Sequence, residues 1–198
     1  HRYGRRQRQM CIRDSREAHW SSVAFALETT WYDLQGKQQN QTISSILHGK
    51  RSHRVTPYLS ISVSDQQELK ERLRSETEDA KVIQLKLTNQ SWADDVAWIH
   101  QVLDHHPSVE LLLADANGKW SVSQACEIIS GCQDPRIIWE EPCATYSENA
   151  EVEQLTHQRV MADQCVGSMA NAEKAVREKA VSVITVSYTH LRAHETRI

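Results

Sequence analysis

From Val55 onward the chain alternates short apolar runs with amphipathic stretches at a regular spacing. This alternation constrains the fold more than any other feature. Val55–Val63 reads as a strand. Ser64-Asp65-Gln66-Gln67 then reads as a capping box opening a helix that carries Leu69 and Leu73. Val82–Leu87 is a second strand, and Ser91 caps a helix bearing Val96, Ile99 and Leu103 that ends before Pro107. Val109–Ala114 is nearly all apolar, as a strand buried on both faces should be. Ser121 opens a helix that closes at Gly131, and Ile137–Trp139 is a strand. A helix over Ser147–Thr156, a strand over Arg159–Ala162, a helix over Asn171–Lys179 and a strand over Val181–Val186 complete the series. Six strands separated by five helices predict parallel β/α units, either an open doubly wound sheet or part of a barrel. Upstream, His19–Lys37 places Val23, Leu27, Trp31 and Leu34 on one helical face with Gly36 as its stop, and a shorter helix follows over Gln41–Leu47.

Polar residues at the strand ends favour the barrel. Lys86, Asp115, Glu140 with Glu141, and Asp163 each close a successive strand, 29, 25 and 23 residues apart. Each interval is about one β/α unit, so the side chains line one rim. The C-terminal rim of a β/α barrel is where catalytic groups from several strands meet. Three carboxylates on adjacent strands repel one another without a counter-ion. Mg²⁺ takes carboxylate oxygens and keeps positions open for substrate. A lysine beside such a cation is pushed toward its neutral, proton-accepting form. Taken singly, each residue has a plainer reading: Asp115-Ala116-Asn117-Gly118 as a turn, Glu140-Glu141-Pro142 as a solvated loop, Lys86 as a snorkelling edge residue. The shared spacing favours one site.

Composition excludes several classes. The 198 residues carry 23 Lys+Arg against 26 Asp+Glu, and no apolar run approaches the ~20 residues of a membrane span. Residues 1–16 hold six Arg and one Asp but lack the interleaved aromatics of a single-strand nucleic-acid platform, so neither a nucleic acid nor a membrane is an expected partner. Cys126, Cys132, Cys143 and Cys165 are scattered without a CxxC pair, which reads as reduced thiols of a cytoplasmic protein. Trp92, Trp98 and Trp139 are expected to pack against barrel elements, and His105-His106 to form a solvated helix end with a favourable dipole contact. QMCIRDS near the start and VSYTHLRAHETRI at the end resemble translated adapter sequence, so residues 1–16 and 187–198 are expected to be non-native ends.

At these motifs the sequence resembles the enolase superfamily, in its muconate-lactonizing-enzyme/mandelate-racemase-like branch, over about 17–186. ALETTWYDLQGK (26–37) resembles the family helix that precedes the barrel. QLK (84–86), LLLADANGKWS (111–121), IIWEEPC (137–143) and VMADQ (160–164) resemble its strand motifs, in order. The resemblance implies a partial (β/α) TIM-type barrel of about six β/α units over 55–186, preceded by a helical remnant of the N-terminal capping domain over 17–54. It further implies Mg²⁺ held by Asp115, Glu140 and Asp163, Lys86 as acid/base, and Gln84, Asn117, Glu141 and Gln164 as supporting groups. The implied chemistry is proton abstraction α to a carboxylate through an enediolate, on a small amino-acid derivative, in a parent enzyme that is a homo-oligomer.

QLK and EEPCATYSE (140–148) look closest to hydroxyproline-betaine epimerases and cis-3-hydroxyproline dehydratases. This favours a racemase or epimerase over a dehydratase, a cycloisomerase or a non-catalytic fragment. Three departures stand out. Gln84 replaces the first lysine of the family's KxK, and Gln164 replaces a Glu. Ser187 stands where a second catalytic lysine belongs. Lacking the last barrel strands and most of the cap, the chain is expected to be unstable alone and at most weakly active.

Overall fold

The computed structural model describes residues 23, 26, 27, 29–47, 56–76, 80–88, 91–167 and 169–185. The expected non-native ends, 1–16 and 187–198, and with them Ser187, lie outside the described residues. The chain divides into two compact units, one of residues 56–166 with 172–185, the other of residues 1–55, 167–171 and 186–198.

In the larger unit, strands β1 (Leu59–Ile61), β2 (Val82–Lys86), β3 (Leu111–Asp115), β4 (Ile137–Glu140), β5 (Val160–Ala162) and β6 (Val183–Ile184) form one sheet in sequential order. Every neighbouring pair is parallel. Helices α3 (Gln66–Glu76), α4 (Trp92–His105), α5 (Val122–Ser130), α6 (Tyr146–Thr156) and α7 (Met169–Glu178, of which residues 172–178 fall in this unit) connect them. A doubly wound sheet would reverse its strand order at a switch point. This sheet never reverses, so the architecture is a partial barrel, as the sequence predicts. Among the described residues β1 and β6 are each paired on one side only.

Strand parity builds two layers. Ile83, Leu85, Leu112, Ala114, Ile137, Trp139, Val160 and Ala162 join the large core with Leu69, Ile99, Val102, Ile128, Val152 and Ala175 of the helices. On the opposite face Leu113, Ile138 and Met161 form a separate small cluster, flanked by Val82, Leu111 and Val183, which is the barrel interior. Trp98 and Trp139 pack as expected, but Trp92 sits in the first turn of α4 and is 57% exposed.

Helix caps follow the sequence with small shifts. Ser121 and Gln124 form the expected capping box, whereas α6 starts one residue early on a Thr145–Glu148 box. At α3 the reciprocal partner is Glu68 rather than Gln67. The Glu68 N–H donates to Asp65 Oδ1 (2.9 Å), and the Glu68 carboxylate accepts from the Ser64 N–H (2.8 Å). Two carboxylates at this N-terminus satisfy the free N–H groups better than the neutral Gln67, which turns instead to Glu71.

In the smaller unit, helix α1 covers residues 29–39 and α2 covers Ile43–Ile46. Gly36 does not stop α1. The stop comes at Asn40, whose φ of 50° is left-handed and lets the Gln41 N–H reach the Gly36 carbonyl (2.9 Å). Leu27, Trp31 and Leu34, the expected apolar face, are exposed.

Candidate active site

The register brings the rim residues together. Lys86 is the direct partner of Asp115, and Asp115 is the direct partner of Glu140. Glu140 pairs with Met161, so Asp163, two residues further on, rises on the same face. Residues two apart on a strand share a face, which puts Gln84 below Lys86, Leu113 below Asp115, Ile138 below Glu140 and Met161 below Asp163. The acidic groups therefore sit on the Leu113–Ile138–Met161 plug of the barrel interior.

Each carboxylate has protein partners. Lys86 Nζ donates to Asp115 Oδ2, and the Asn117 N–H donates to Asp115 Oδ1 (2.9 Å). The turn reading of Asp115-Ala116-Asn117-Gly118 is thus realised together with the rim position, with Asn117 and Gly118 both left-handed at φ 52° and 68°. Gln84 Nε2 donates to Glu140 Oε2 (2.6 Å), and the Ser60 hydroxyl donates to Gln84 Oε1 (3.0 Å). Glu140-Glu141 is not a solvated loop, because Asp115, Glu140 and Glu141 are all 4% exposed or less. The Glu141 carboxylate accepts the N–H groups of Asp163 and Cys165.

Crowding of like charge dominates the electrostatics. Burial, reinforced by the Asp115 charge, pushes Glu140 up to about 7 against the lowering effects of Gln84 and Lys86. Burial and Asp115 likewise push Asp163 up to about 6. Burial lowers the Lys86 ammonium, but the charge of Asp115, its hydrogen bond, and the charges of Glu140 and Asp163 prevail and raise it. Lys86 is therefore a charged counter-ion to Asp115 in this arrangement.

The donor set suits a hard divalent cation. It consists of carboxylate oxygens alone, from three adjacent strands, two of them with raised pKa values that added positive charge would lower. Among the described residues no three His, Cys, Asp or Glu side chains already converge as a metal cluster. Asp115 is turned toward Lys86 and Asn117, and Glu140 toward Gln84. Binding a cation would exchange those contacts for coordination.

Other expectations fare differently. Gln164 lies exposed on a short 3-10 helix, Gln164–Val166, next in sequence to Asp163. His105 is exposed at the helix end as expected, whereas His106 is buried, and desolvation followed by the His105 charge lowers its pKa. Cys126, Cys132, Cys143 and Cys165 are free thiols, and burial pushes Cys143 up to about 11, which suits a packed rather than a nucleophilic role.

Three supporting residues escape sequence reasoning. Ser60 feeds the Gln84–Glu140 pair. Asn149, fully buried on α6, accepts the Cys143 N–H (2.8 Å) and donates to the Cys143 carbonyl (2.9 Å), pinning the loop after β4. Asp95, fully buried in the first turn of α4, accepts from the Thr88 N–H (2.7 Å) and hydroxyl (2.8 Å), fixing the loop after Lys86. The only available signal was position, since Asp94-Asp95 looks like an ordinary acidic first turn.

Comparison with known proteins agrees with this geometry. Residues 67–193 match the family described as enolase C-terminal domain-like. A cis-3-hydroxy-L-proline dehydratase of Roseibium aggregatum is 24% identical over 161 residues, covering 81% of this chain and 44% of that protein. A dipeptide epimerase from Enterococcus faecalis V583, solved with Mg and the dipeptide L-Leu-L-Tyr, superposes with a TM-score of 0.71 at 18% identity, covering 81% of this chain and 46% of that one. Muconate lactonizing enzyme from Pseudomonas putida superposes at 0.70 with 20% identity, covering 84% and 48%. The chain thus spans about half the length of the proteins it matches. With the sequential parallel sheet and the ordered rim motifs, the match over 67–193 establishes that the chain belongs to the enolase C-terminal domain-like family, in the mandelate racemase/muconate lactonizing branch of the enolase superfamily.

Proposed function

We propose that this chain carries the metal-ligand and acid/base part of a Mg²⁺-dependent site that removes the proton α to a carboxylate, as a racemase or epimerase of an amino-acid or proline-betaine-type substrate. The observation that carries the reading is the unbroken register Lys86–Asp115–Glu140, with Asp163 next on the same face. Asp115, Glu140 and Asp163 are the proposed ligands. Bound Mg²⁺ would supply a Lewis-acidic centre for the substrate carboxylate and for the negative charge that grows as the proton leaves.

The protein's own groups do the rest. Gln84, braced by Ser60, fixes one Glu140 oxygen and leaves the other free to turn. Lys86 is protonated while it faces Asp115. With the Asp115 charge committed to a ligand role, desolvation dominates at Lys86 and favours the amine, which can accept the α-proton on its own face; inversion then requires a second acid that delivers a proton to the opposite face of the α-carbon.

A dehydratase is the second reading, favoured by the match to cis-3-hydroxy-L-proline dehydratase. Residues 17–54 are the proposed capping-domain remnant, and the full-length parent is the proposed homo-oligomer. Four free thiols among the described residues support a cytoplasmic setting. Calorimetric titration with Mg²⁺ tests the reading. The chain should bind one ion, and an Asp115→Asn/Glu140→Gln double variant of equal helicity should not. Equal binding by both would overturn it.

A further inference from the structure

Glu141 is a buried rim carboxylate whose contacts reach two neighbouring loops at once. Its side chain accepts the N–H groups of Asp163 and Cys165, both in the loop after β5. Its carbonyl accepts the Gly118 N–H (2.6 Å), in the loop after β3, and the next carbonyl, that of Pro142, accepts the Trp120 N–H (3.0 Å). Its own N–H donates to the Met161 carbonyl in β5 (2.9 Å). Residue 141 therefore touches the loops that follow Asp115, Glu140 and Asp163.

The backbone makes these contacts interdependent. Glu141 has φ 46°, a left-handed conformation that a residue with a Cβ adopts only when its surroundings hold it there. The turn aims the carbonyl at Gly118 while the side chain reaches the β5 loop. Gly118 is itself left-handed, and a Cβ there would lie 3.2 Å from Ala144 Cα, so the two loops meet closely. If the carboxylate lost its N–H donors, the left-handed turn would lose its support, and the carbonyl would swing off Gly118.

We propose that Glu141 is a positioning residue that locks the loops bearing Asp115, Glu140 and Asp163 into one register, through its carboxylate on the β5 side and its left-handed carbonyl on the β3 side. Its consequence for Mg²⁺ rests on the ligand reading above. The coupling of the loops does not. Outer partners of ligating groups commonly govern metal affinity by ~10–100-fold.

The test compares the full chain with Glu141→Leu, which removes both acceptor oxygens, and Glu141→Gln, which keeps one. Amide hydrogen exchange is read at Gly118, Asp163 and Cys165, with Leu112 as control because its N–H is held across β3–β4 by Arg136. In Glu141→Leu, exchange at Gly118 should accelerate about tenfold along with Asp163 and Cys165 while Leu112 is unchanged. Glu141→Gln should give a smaller acceleration at the same sites. If Glu141→Leu does not fold, Glu141→Gln decides alone. Unchanged protection at Gly118 in the folded variants overturns the proposal, since a merely local side-chain role would disturb only Asp163 and Cys165. Mg²⁺ titration of the same proteins should show affinity falling about tenfold for Leu and less for Gln. Wild-type binding unaffected by Glu141→Leu removes the positioning role. Absence of wild-type binding sinks the ligand reading, while the exchange data still decide the coupling.

Discussion

Replacing Asn149 tests how the loop after β4 is held. Asn149 and Cys143 are both fully buried, and their paired hydrogen bonds, 2.8 and 2.9 Å, satisfy both main-chain groups of Cys143. A neutral hydrogen bond contributes about 1 kcal/mol net, but a buried group left without a partner costs about 1–3 kcal/mol. Asn149→Ala strands a donor and an acceptor at once. Partial filling of the new space by water lowers the total, so the expected loss is about 3 kcal/mol. Asn149→Asp is a sharper probe. It keeps an oxygen for the Cys143 N–H but turns a second oxygen toward the Cys143 carbonyl and buries a charge. It should therefore destabilise at least as much as alanine. Urea unfolding followed by tryptophan fluorescence measures both, because Trp120 and Trp139 meet in a tilted contact, 6.1 Å between ring centres, beside this loop. A loss below about 1 kcal/mol for alanine, or a milder effect for Asn149→Asp, refutes the reasoning from buried-group satisfaction.

Two further outcomes follow from the rim. Glu140 and Asp163 have folded-state pKa values raised to about 7 and about 6, so the folded chain binds these protons more tightly than the unfolded one. That contribution is complete below about pH 4 and is lost as pH rises through 6 and 7. In EDTA the urea midpoint should fall between pH 5 and pH 8, by an amount equivalent to about 3 kcal/mol for a shift of about two units, and Mg²⁺ should restore it. A midpoint that rises over this range contradicts the charge-crowding account. Gly118→Ala should cost about 1–2 kcal/mol, because the position has φ 68° and a Cβ would press on Ala144 Cα at 3.2 Å. Urea unfolding reads this too, and a neutral effect would mean that the turn rearranges freely.

The legible part of this protein was its periodicity. Val109–Ala114 announced a two-sided strand, and Ser121–Gln124 announced a helix start, because each signal is local and has one physical cause. The Lys86, Asp115, Glu140 and Asp163 series was legible for the same reason, since parallel β/α units convert sequence spacing into rim register. Residues that act across the fold left no such trace. Asn149 reads as an ordinary helix residue until the Cys143 main chain is seen against it. Asp95 reads as a dipole partner until its burial is known.

The central claim is that one divalent ion is shared by carboxylates from three adjacent strands. Mn²⁺ accepts the same oxygen ligands as Mg²⁺ and broadens nearby amide resonances steeply with distance. Sub-stoichiometric Mn²⁺ added to the isotopically labelled chain should broaden the amides of Asp115, Glu140 and Asp163 together. Those of Val82 and Leu111, at the other ends of β2 and β3, should stay sharp. Broadening centred elsewhere, such as the groove of His100, Asp104 and His105 between α3 and α4, or confined to one of the three carboxylates, would contradict the shared site.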